Sequence, residues 1–158
     1  MDHFHWPDGK SRAIIVTYII SIGNPEGAKN LYMGLNLYSL RQYDFGYYTA
    51  TALAKAAIVI LESYTAYLLI KIMMKIKLSN PFTMEIVKLL EQISYFILMT
   101  GVLAIISNSN TKWLAKQLPG LPENLFSGEF IFLAGVVFII SQVFKKGTEI
   151  QSENELTV

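Results

Sequence analysis

Between Gln92 and Thr111 the chain runs for 20 consecutive residues without an Asp, Glu, Lys or Arg. As a helix rising ~1.5 Å per residue, such a run crosses the ~30 Å hydrocarbon layer of a bilayer. Its centre, ISYFILMTGVLAII, lacks proline and shows no strand-like alternation. Asn80-Pro81 precedes it, and proline suits a helix start while disfavouring helix in the residue before it. The run predicts a membrane helix over about 84–106. The rest of the chain agrees, with 16% charged residues against 53% apolar, where soluble domains carry ~25% charged.

Two further stretches fit the same reading. From Leu125 to Phe144 only Glu129 interrupts the apolar run, and Lys145-Lys146-Gly147 suits a helix C-terminus with a glycine cap. Tyr47 to Met74 contains Lys55 and Glu62 but no helix breaker. The sequence therefore predicts an all-α integral membrane protein with three transmembrane helices, about 47–74, 84–106 and 125–144, forming a bundle over residues 47–146 in the lipid bilayer. The first connection carries Lys71, Lys75, Lys77 and Lys88, and the C-terminal flank Lys145 and Lys146. The other connection has only Lys112 and Lys116. The positive-inside bias places the C-terminus in the cytoplasm of a bacterial inner membrane, with residues 147–158 as a cytoplasmic tail.

Residues 1–46 differ in kind and fall outside the membrane on the opposite side. Ala13–Ile22 reads AIIVTYIISI, rich in β-branched residues, too short to span as a helix and broken by Gly23-Asn24-Pro25. Leu31, Met33, Leu35 and Leu37 then alternate with Tyr32, Gly34, Asn36 and Tyr38. Period two predicts strands at 13–21 and 31–38, a small extracytoplasmic β segment. Met1–Arg12 has no apolar stretch to lead this segment across a membrane. A longer gene product with another helix upstream is the simpler expectation.

Several functions are disfavoured. A net charge of +1 leaves no surplus to neutralise phosphates, so direct nucleic-acid binding is not expected. There is no cysteine for a thiolate metal site or nucleophile. His3 and His5 form an H-x-H pair without a complete ligand set. No catalytic triad or phosphate loop occurs. The expectation is no enzyme, no catalytic residue, no cofactor and no metal.

The candidate residues are the polar ones in apolar surroundings. Lys55 and Glu62 are seven apart, hence on one helix face, ~10 Å apart along the axis. A charge near mid-membrane costs several kcal/mol unless paired or hydrated, so this pair reads as a structural polar contact or as an ion or ligand site. Glu129 enters the third helix at its outer end, within reach of Lys55. Lys88 and Glu91, three apart, pair locally. Gly128, Gly135 and Gln142 make a stripe along which another helix approaches, with Gly101 as its counterpart or a second copy as the alternative. In the tail, Glu153 and Glu155 point away from anionic headgroups and leave Leu156 and Val158, in alternate positions, for strand addition to a partner.

The C-terminal half resembles a family of bacterial membrane proteins, domain of unknown function 2975. The resemblance rests on the basic first connection ending in Asn80-Pro81-Phe82, the glycine-bearing last helix, and the ending Val143-Phe144-Lys145-Lys146-Gly147 followed by Glu153-Asn154-Glu155-Leu156-Thr157-Val158. It covers residues 31–158 and implies four helices, the first lacking here, with no catalytic residue to carry over. The functional expectation is a regulatory or sensory accessory acting through contacts with a membrane or cytoplasmic protein. The alternative is a small oligomeric transporter or channel using Lys55, Glu62 and Glu129.

Overall fold

The computed structural model describes residues 8–76, 81–126 and 129–156. Its elements are α1 (Asp8–Gly23), a 3-10 turn (Pro25–Asn30), α2 (Tyr38–Tyr43), α3 (Phe45–Lys75), α4 (Met84–Ala115) and α5 (Phe130–Leu156). Three of these, α3, α4 and α5, are long and apolar enough to cross a membrane. α3 and α4 contain the expected spans 47–74 and 84–106, with α4 continuing to Ala115; of the expected 125–144 only 130–144 lies in α5, which runs on to Leu156.

The expected β segment is absent: no strand occurs among the described residues. Residues 13–21 lie inside α1. β-Branched residues are only mildly disfavoured in helices, and packing overrides that preference. Ile14, Tyr18 and Ser21 share a helical face and pack inward, whereas Ile15, Val16, Ile19 and Ile20 are exposed. An apolar residue on either face hides the 3.6-residue period. The alternation at 31–38 has a different origin. Leu31 and Leu37 are buried, but Met33 protrudes in a tight turn with positive φ at Met33 and Gly34. Leu31 N–H donates to the Leu35 carbonyl, and Leu37 N–H to that of Ala28.

Residues 1–63 with 102–128, and residues 64–101 with 129–158, form two compact units. The first has Leu31, Leu37, Leu40 and Tyr48 fully buried with Ile14, Ala52 and Leu114. Ser21 and Tyr48 share a 2.6 Å hydroxyl–hydroxyl hydrogen bond in that core. Asn24 starts the 3-10 turn by accepting from Glu26 N–H, and Asp44 starts α3 by accepting from Tyr47 N–H. The second unit packs Leu68, Ile72, Ile86, Ile93 and Ile97 against Ala134, with Phe130, Val137 and Phe144 beside them.

The C-terminal residues are not an extended tail. α5 continues through Leu156, and Gly147 lies within it instead of capping it. A Cβ on Gly147 would stand 2.6 Å from Phe82 Cδ1, so the bare backbone seats the Phe82 ring. That ring also meets Phe144 edge-on, 5.2 Å between centroids. His3, His5, Lys77, Asn80, Gly128 and Val158 lie outside the described residues, as do the side chains of Glu155 and Leu156.

Candidate functional site

The polar residues that the sequence singles out on α3 open onto one cavity of the first unit. It has a volume of about 470 Å³ and is lined by Lys10 of α1, Tyr32 and Leu35 of the turn, Lys55 and Glu62 of α3, and Asn124 of the loop after α4. Lys55 is half-buried and Glu62 exposed. The Lys55 ammonium donates to the Leu125 carbonyl at 3.3 Å and lies 4.8 Å above the centre of the Phe126 ring. A carbonyl and a ring face attract the cation without neutralising it. Among the described residues, Glu62 accepts no hydrogen bond, and no ion pair joins it to Lys55. The two charges act on each other through space without direct contact. Val59, between them on the same face, gives the cavity an apolar patch.

Asn108 builds the wall that holds Lys55. Its Oδ1 accepts from the main-chain N–H groups of Leu125 (3.0 Å) and Phe126 (3.2 Å), and its Nδ2 donates to the Phe126 carbonyl (2.9 Å). One amide thus satisfies three backbone groups of an irregular segment that would otherwise have to find water. Charge spacing does not single out Asn108, which lies within the charge-free run from Gln92 to Thr111. The signal was the polar run Ser107-Asn108-Ser109-Asn110, unusual near the end of an apolar span.

The other candidates stand elsewhere. Glu129 is exposed in the turn before α5, in the second unit, where its carbonyl accepts from Leu133 N–H. Lys88 is exposed and Glu91 half-buried on α4. Gly101 is a point of close approach, since a Cβ there would meet Ile131 Cγ1 at 2.8 Å. Its neighbours are Phe130 and Ile131, however, not the expected stripe. Gly135 faces open space and Gln142 is exposed. The inward face of α5 runs one residue earlier, through Ala134 and Ser141. Ser94 marks that contact by donating to the Ala134 carbonyl at 3.2 Å. Glu153 is exposed on the last turns of α5. A groove in the second unit, lined by Phe82, Val143, Lys146, Ile150 and Asn154, runs along the same helix end. No group of three or more potential metal-ligating side chains occurs among the described residues.

Three membrane-length apolar helices and a charged cavity define a multi-pass, all-helical membrane protein. The chain belongs to the family described as "Protein of unknown function (DUF2975)", whose model matches residues 2–158. The match takes in α1, beyond the 31–158 that the resemblance alone suggests. No curated protein and no solved structure matches the chain.

Proposed function

We propose that this protein is a non-enzymatic accessory of a bacterial cytoplasmic membrane, binding a small ligand in the first-unit cavity and contacting a protein partner through the C-terminal end of α5. The observation that carries this reading is the cavity itself. It presents two ammonium groups, a carboxylate, an amide and a phenol around an apolar patch, groups suited to recognition. The partner contact rests on α5, whose last turns keep Val143 and Ile150 exposed beside Lys146 and Asn154. Such a stripe of apolar residues at helical spacing suits a helical partner better than strand addition. The lysine bias orients this end toward the cytoplasm.

Crosslinking and co-purification from native membranes test the reading. Intact protein should retain a cytoplasmic partner, and removal of residues 148–158 should release it while membrane insertion persists. Unchanged partners after the deletion, with a reporter fused after Val158 on the external side, would defeat both contact and orientation. A second reading is favoured by Lys55 and Glu62 opening on one cavity within a candidate span: a small oligomeric channel or transporter. Proton flux into liposomes that Glu62→Gln abolishes would select it.

A further inference from the structure

The charges in the cavity have an order. Along one face of α3 come Lys55, Val59 and Glu62: cation, apolar surface, anion. Lys10 adds a second cation to the lining. The two α3 charges are ~10 Å apart along the helix axis, too far for an easy mutual pair. They attract each other through space, but no ion-pair contact joins either to another described residue. Charges left so on an apolar span are costly unless water or a ligand completes them. A single anion would leave Glu62 unmet, and a single cation would oppose the lysines. Both are met by a molecule that carries an anion at one end, a cation at the other and methylenes between.

We propose that the cavity binds a zwitterion with a methylene spacer, its oxyanion on Lys55 and Lys10, its primary ammonium on Glu62 and its spacer over Val59. This deepens the ligand-binding half of the proposed function and rests on it. The same chemistry reaches the site from two sources: a free ω-amino acid, or the phosphate and ammonium of a phosphatidylethanolamine headgroup. The volume of about 470 Å³ accommodates either.

The test uses the full chain in nanodiscs of phosphatidylglycerol alone, titrated calorimetrically with 6-aminohexanoate. Binding is expected, with hexanoate and hexylamine each about tenfold weaker or worse, since each leaves one charge of the cavity without its counter-charge. Lys55→Gln and Glu62→Gln should each weaken 6-aminohexanoate by a similar factor. The exchange Lys55→Glu with Glu62→Lys, combined with Lys10→Gln so that no cation faces the turned ammonium, should restore much of the binding, because the ligand can turn end for end. Circular dichroism on each variant separates lost binding from lost fold. Repeating the titration in discs containing phosphatidylethanolamine assigns the source: competition identifies the headgroup, and unchanged affinity a free ligand. No binding by the folded wild-type chain, or equal binding of hexanoate, would overturn the proposal. The titration contains no partner, so its failure beside intact co-purification removes the ligand class and leaves the partner contact standing.

Discussion

The two units solve the same problem, satisfying polar groups among apolar ones, in different ways. In the second unit the hydroxyls are satisfied within their own helix, as Thr100 on the Phe96 carbonyl and Ser141 on that of Phe138, or by one neighbouring carbonyl, as Ser94 on Ala134. The first unit has such own-helix bonds too, as Thr49 on the Phe45 carbonyl and Thr111 on that of Ser107, but it adds bonds that run across long stretches of chain: Ser21 with Tyr48, Tyr43 with Gln117, and Asn108 with Leu125 and Phe126. Straight helices need little from their side chains because their backbones are self-contained. Turns and loops need a great deal, and in return they bring together groups that no single helix could, here Lys10, Tyr32, Lys55 and Asn124. The cavity with converging charges is accordingly in the unit whose backbone is irregular.

The sharpest way to break this contrast is Asn108→Ala. Three backbone groups would lose their partner, for an expected loss of about 3 kcal/mol. Hydrogen exchange should show lost protection near residues 121–126 and little change in α5. Uniform loss across both units would erase the distinction. Next comes Gly147→Val, which drives a side chain into Phe82 and should cost about 2 kcal/mol by overpacking. Adding Phe82→Ala should recover part of it, read by denaturant titration in detergent. Tyr48→Phe removes the hydroxyl pair with Ser21 from the first core, for about 1 kcal/mol in the same assay.

Gly135→Ala probes the other extreme, a position facing open space, and should be neutral or stabilising by less than about 1 kcal/mol. A clear loss, with a smaller particle in detergent, would instead reveal a second copy seated on this face.

The smallest effect belongs to Lys29, at the surface of the first unit. Its hydrogen bond from the ammonium to Glu26 raises its pKa above the usual lysine value. A raised folded-state pKa means that the contribution is complete below the ordinary lysine range and fades as pH rises through the folded value. Glu26→Gln should flatten that alkaline loss and leave stability near neutral pH little changed.

The three spans were legible because a missing charge is a long-range signal that no local packing can disguise. Lys55 and Glu62 were legible for the inverse reason: they are charges where the sequence otherwise excludes them. What failed was local periodicity. AIIVTYIISI gave no helical stripe because both faces of α1 are apolar. The alternation at 31–38 coincided with a turn that buries Leu31 and Leu37 and exposes Met33. Lys145-Lys146-Gly147 read as a helix end because composition cannot distinguish a glycine that ends a helix from one that makes room for a ring. The role of Asn108 depends on a loop 17 residues away, which is beyond any window of pattern.

That ring on Gly147 has a mechanical consequence. Phe82 belongs to the short segment just before α4, and only at Gly147 does α5 offer it a flat seat. Were α5 to slip by one helical turn, ~5.4 Å, the ring would meet the Val143 or Gln151 side chain. The contact therefore works as a detent. Sliding α5 along its axis would first have to lift the ring out of its seat.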